Sequence, residues 1–236
     1  MSYRACLIAI GLLAGMTALA QEAPQPPASQ DKVAALKQSL QKSAAALRQY
    51  EWIETTTVSM KGEEKSKTQN RCYYGADGKV VKVPLAAEPE SGGKSPRGLR
   101  GKVVENKKED VKDSVEEAVA LVKQYVPPDP AKIQAAKDAG RLTMAPPDAQ
   151  GKVRVDIKDY LKPGDSLSLA LDGASNRLLG IAVASFIDSA KDAVNLNVKV
   201  GVLPDETMYS SDVTLEIKEQ DLAIAIAHSG YKKAGS

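Results

Sequence analysis

The last third of the chain, residues 153–228, alternates apolar and polar side chains. The clearest run is Val194, Leu196, Val198, Val200 and Val202, interleaved with Asn195, Asn197, Lys199 and Gly201. Successive side chains of a strand point to opposite faces, so this run has one apolar face and one wet face. Val213, Leu215 and Ile217 repeat the pattern, as do Leu222, Ile224 and Ile226, and upstream Val153, Val155, Ile157 and then Leu167, Leu169, Leu171. The breaks between runs are short: Pro163-Gly164-Asp165, Asp172 to Asn176, Leu203 to Glu206, Glu219 to Asp221. Turns this short join antiparallel neighbours, because parallel strands need long crossovers. With the strands expected nearer the N-terminus, the count is about nine in a meander. A sheet with one apolar face must cover it with helices, a second sheet or a ligand.

The N-terminus reads as an export signal. Arg4 supplies a positive start, Leu7 to Ala20 is apolar, and Ala18-Leu19-Ala20 is a small-x-small cleavage pattern over residues 1–20. The run is shorter than the roughly 20 apolar residues of a membrane span, and no later stretch is long enough. The mature chain is therefore expected to lack a transmembrane segment and to be secreted, or periplasmic in a Gram-negative cell. Cleavage removes Cys6 and leaves Cys72 alone, so no internal disulfide can form and the thiol is expected in the core. The sequence holds 32 Lys+Arg and 30 Asp+Glu, and Arg4 is the only charge in the leader. A balance this even argues against a nucleic-acid binder.

Residues 21–30 are a proline-rich leader. A helix follows over 31–49, with Val33, Leu36, Leu40, Ala44 and Leu47 as its apolar stripe and Ser29 or Asp31 as its cap. Tyr50 to Met60 is rich in β-branched and aromatic residues and reads as a strand. Residues 61–69 are polar and read as a loop. Arg71–Tyr74 and Lys79–Val83 form a hairpin about Gly75 to Gly78. Residues 84–101 read as a mobile loop. Val111, Val115, Val119, Val122 and Val126 then line one helix, starting at Asp110 or Ser114. Pro127-Pro128 stops it, and Asp129-Pro130 begins a second helix that Gly140 ends. One α+β domain over 31–231 and a tail over 232–236 complete the division.

Residues for chemistry are scarce. One histidine, His228, and one mature cysteine cannot make a metal site of the usual kind, and no cofactor motif occurs. His228 lacks the serine motif of a triad partner and continues the face of Leu222, Ile224 and Ile226. Asp156, Asp159 and Asp165 cluster in sequence on a strand end and turn, where solvated turn roles outweigh a paired acid and base.

The order of elements resembles the half-barrel proteins of outer-membrane lipoprotein sorting. An amphipathic N-terminal helix, strands about Trp52 and Tyr73-Tyr74, helices in the middle and a terminal meander carry the resemblance, and the helical corner at Pro127-Pro128-Asp129-Pro130 departs from it. It implies a curved antiparallel sheet closed by helices around an apolar hollow, and a carrier rather than an enzyme. The helices here are rich in alanine (Ala118, Ala135, Ala136, Ala139), thin cover for a long sheet. The expectation is a non-enzymatic binding protein for a lipid or a hydrophobic protein segment, with Leu196, Val198, Val200, Leu215 and Ile224 on the ligand-facing sheet surface. Two rivals stand beside it: a structural envelope protein with a filled core, and a carboxylate-dependent hydrolase.

Overall fold

The computed structural model describes residues 28–85 and 99–235. Residues 1–27 and most of the 84–101 loop lie outside them. Three α-helices and ten strands follow in the order α1 (Ala28–Leu47), β1 (Tyr50–Met60), β2 (Glu63–Tyr74), β3 (Val80–Pro84), α2 (Leu99–Val122), α3 (Pro130–Asp138), β4 (Leu142–Met144), β5 (Lys152–Lys158), β6 (Ser166–Asp172), β7 (Leu178–Phe186), β8 (Ala193–Val202), β9 (Met208–Ile217) and β10 (Leu222–Lys233). All ten strands form one open antiparallel sheet in the order β3-β2-β1-β10-β9-β8-β7-β6-β5-β4. This is the curved α+β half-barrel that the alternation and the order of elements predict.

Two meanders meet where β1 pairs with β10. The short turns set every other neighbour, but this pairing joins residues far apart in the chain, such as Glu54 opposite His228, 174 residues on. The register places one apolar row across eight strands: Val58, Ile224, Leu215, Leu196, Val183, Leu167, Ile157 and Leu142. β3 and β4 are opposite edges, so the chain between them must cross the whole sheet. It does so on the apolar face. Near its middle, α2 touches the β9–β10 turn, where the Gln220 amide donates to Ser114 Oγ at 3.4 Å. Just past its end, Tyr125 is fully buried beside the β5–β6 corner. Ala118 and Val122 are buried against the sheet, with Val111, Val115, Val119 and Val126 partly so. α3 lies against β4 and β5.

Several expectations need correction. Residues 63–69 belong to strand β2, not to a loop. Lys61 and Gly62 have φ of 54° and 76°, the paired positive angles of a two-residue hairpin turn, and β2 follows β1 backbone to backbone despite its wet side chains. α2 begins at Leu99, so Asp110 and Ser114 are interior rather than caps. α1 begins at Ala28, before residue 31, and Ala44 is exposed while Ser43 is buried. The tenth strand is β4, three residues long and too short to show a period. Val202 is 39% exposed, at the end of β8 beyond a bulge where Ser211 has no partner. β10 reaches Lys233, so the expected tail residues 232 and 233 pair with Glu51 and Tyr50.

The corner behaves as its residues predict. Asp129 caps α3 by accepting from the Ala131 amide, Pro130 takes the first helical position, and Gly140 at φ 66° follows the C-cap. The Arg141 amide donates to Ala136 O and Gly140 to Lys137 O, the paired bonds of a Schellman ending.

Candidate functional site

The apolar rows beneath α2 are packed. Leu196, Val198 and Leu215 are buried in the main core, and Val200 and Ile224 lie partly buried against it. These five sequence-selected residues share one face. The open part of that face lies one row further along the strands, between the end of α1 and the β1–β2–β3 edge. A cleft of about 290 Å³ opens there, lined by Leu47, Trp52, Glu54, Tyr74, Val80, Lys82, Tyr209, Ser210, His228 and Tyr231. Val200 pairs with Ser210 and so borders it.

Strand alternation builds the cleft. Trp52, Glu54, Thr56, Val58 and Met60 share the inward face of β1, on which Glu54 interrupts the apolar set. The ladder between β1 and β10 skips a step beside Trp52, with Gly230 in the left-handed region at φ 62°. The added residue brings Tyr231 onto Trp52, ring centroids 5.6 Å apart and planes 12° apart. Tyr74 lies 5.6 Å from Trp52, and Tyr209 4.4 Å from Tyr231. A side chain at Gly201 would put its Cβ 2.7 Å from the Tyr209 ring, so the glycine there makes room for that wall. α1 is pinned above by Ser43, whose buried hydroxyl accepts from the Met208 amide at 3.0 Å.

The floor is charged. Glu54 is 5% exposed and accepts from Lys82 Nζ at 2.6 Å. Its other oxygen lies 3.4 Å from His228 Nε2. His228 Nδ1 is 2.7 Å from the Ser210 carbonyl, which can only accept, so that nitrogen carries a proton. In the neutral imidazole Nε2 then has no proton to give, so Lys82 is the donor that spares the buried Glu54 carboxylate the penalty of several kcal/mol that an unpaired one carries. Lys82 stands on the edge strand with its side chain 50% exposed, so the fixed charge of the cleft is negative and the positive one can swing to water. The Trp52 indole Nε1 is buried with no hydrogen-bond partner among the described residues. Cys72 pairs with Trp52 across the β1–β2 ladder, fully buried, and burial pushes its thiol pKa up. Burial likewise raises the Tyr231 hydroxyl, with Tyr209 next in effect, so it stays neutral.

The acidic trio of the hydrolase rival is committed elsewhere. Asp156 accepts from Ser168 Oγ and Arg154, Asp159 from the Gly164 amide, and Asp165 from the amides of Tyr160, Leu161 and Lys162. Among the described residues no group of three or more metal-ligating side chains converges, and no helix is long and apolar enough to cross a membrane. A second groove, about 270 Å³, lies on the outward face among side chains such as Ser168, Ala182 and Asn197. The sequence reading missed Glu54, Lys82 and the aromatic wall. Glu54 on an apolar strand face was the available signal; its encounter with His228 depends on the β1–β10 register.

No protein-family model matches the sequence, and no curated protein matches it. Among solved structures, the chain is similar to a DUF1329 family protein from Desulfovibrio piger. The two share 7% identity and a TM-score of 0.40, over 89% of this chain and 93% of the other. It is also similar to a LolA superfamily protein from Nitrosomonas europaea, at 6% identity and a TM-score of 0.37, over 85% of this chain and 94% of the other. The second carries the name of the half-barrel family that the order of elements resembles.

Proposed function

We propose that the protein is an exported, non-enzymatic binding protein that takes an amphipathic ligand into the aromatic cleft. One observation supports this reading most. Four aromatic rings surround a carboxylate that is 5% exposed, in the open portion of a face otherwise filled by α2. Rings offer apolar area at low entropy cost and a buried charge fixes orientation, the usual makeup of a ligand site. At about 290 Å³ the cleft suits a small ligand or the end of a longer one. An acyl tail or greasy peptide segment leaving the cleft meets Val200 first, then Val198, Leu196, Leu215 and Ile224 if α2 lifts. Export rests on the leader at residues 1–20.

The structural reading, with no ligand, draws on the same packing beneath α2. Native mass spectrometry after gentle purification, together with titration by an environment-sensitive fatty-acid probe, separates the two. The carrier reading expects bound small molecule or saturable probe binding near one equivalent, weakened by Tyr231→Ala. A well-folded protein that binds nothing in either assay contradicts it.

A further inference from the structure

The cleft already holds a cation, the ammonium of Lys82. We infer that Lys82 stands in for the headgroup of the ligand, and that the cleft selects an organic ammonium group over a carboxylate or a neutral head. This rests on the reading of the cleft as a binding site and names its ligand class.

The charges of the cleft differ in mobility. Glu54 is mid-strand, buried at 5% exposure and tied into the β1–β10 ladder. Lys82 belongs to a five-residue edge strand, and its side chain is 50% exposed on a flexible stem. An entering cation can take the place of Nζ, 2.6 Å from Glu54 Oε1, while Lys82 moves into water at little cost. Glu54 then stays paired throughout. An entering carboxylate has no such exchange open to it, because the carboxylate it would face cannot leave.

The walls point the same way. Trp52, Tyr74, Tyr209 and Tyr231 line the same cleft as Glu54, and the faces of such rings carry the negative part of a quadrupole that attracts ammonium groups. His228 faces Glu54 from β10 and is held there by its bond to the Ser210 carbonyl, so it stays behind when Lys82 leaves. The alkyl part of the ligand then lies along Leu47 and Val80, which line the same cleft.

The test compares octylammonium, octanoate and octanol, which share one tail and differ in head. Titration is followed by calorimetry and by the emission of Trp52, the sole tryptophan. The inference expects the ammonium to bind at least tenfold more tightly than either other probe. Lys82→Met, at the half-exposed rim, should tighten ammonium binding several-fold by removing the competitor. Glu54→Gln should weaken ammonium binding tenfold or more and leave octanol unchanged. Octanoate or octanol binding as tightly as the ammonium overturns the inference while the binding reading stands. So does Lys82→Met that weakens ammonium binding. If no probe binds to the folded protein, both readings fall together.

Discussion

Asp165 is the residue whose role the sequence hides most completely. It reads as one of three turn acids, yet it is 3% exposed. It accepts from the amides of Tyr160, Leu161 and Lys162 and, at 2.5 Å, from the hydroxyl of Tyr125, forty residues upstream. Tyr125 also meets Ser185 at 2.7 Å, and burial before all else pushes its hydroxyl pKa upward. The carboxylate thus locks the end of α2 to the β5–β6 corner. Asp165→Ala strands several buried donors at once and should cost about 3–5 kcal/mol, against about 1 kcal/mol for Ser185→Ala. Urea denaturation of both variants checks this, and equal losses would remove Asp165 from that role. A second carboxylate gives a pH signature. Asp205 is held below its ordinary value of 3.8, chiefly by the Tyr50 hydroxyl bond at 2.6 Å. A depressed carboxyl stabilises the fold above its unfolded pKa, and that contribution fades as pH falls through the lower folded value. The stability gap between wild type and Tyr50→Phe should therefore narrow on acidification below 3.8. A gap that widens instead would show that the bond does not depress Asp205.

At the scale of elements, strong periodicity made most strands legible, and its absence hid β4 and the first part of β2. Val194, Leu196 and Val198 are buried as their spacing predicts, so Leu196→Ala should cost about 2–5 kcal/mol. Outward-facing Lys199→Ala should cost well under 1 kcal/mol. Equal losses would mean that the register of β8 is wrong. Residues 63–69 of β2 were hidden because Lys, Glu, Ser and Thr on both faces look like a loop. Backbone pairing after the Lys61-Gly62 turn makes this stretch a strand, and the alternate amides that donate to β1 across Lys65 to Tyr74 should show hydrogen-exchange protection. The α3 cap was legible because proline, aspartate and glycine act through local geometry. Asp129→Ala should cost about 0.5–2 kcal/mol in chemical denaturation, and no loss would mean that the cap bond contributes nothing.

At the scale of the whole molecule, the helix-covered antiparallel sheet was legible because short turns dictate a meander and an apolar face demands helices, while its half-barrel curve was implied only by the resemblance in the order of elements. The location of the cleft was not. It depends on which strands the two meanders bring together, and nothing local in β1 or β10 announces that pairing. Once it forms, Glu54 meets His228, Tyr231 stacks on Trp52, and Lys82 reaches in from the edge. The account places the ligand there rather than under α2. Because the chain has one tryptophan, its indole N–H gives a single side-chain cross-peak in a nitrogen–proton correlation spectrum. Titrating the labelled protein with octylammonium tests the claim most directly. The account predicts that this cross-peak moves saturably, along with the amides of Glu54, Tyr74, Tyr209 and Tyr231, while those of Leu196 and Leu215 stay in place. Shifts confined to Leu196, Leu215 and their neighbours, with the indole peak unmoved, would contradict it.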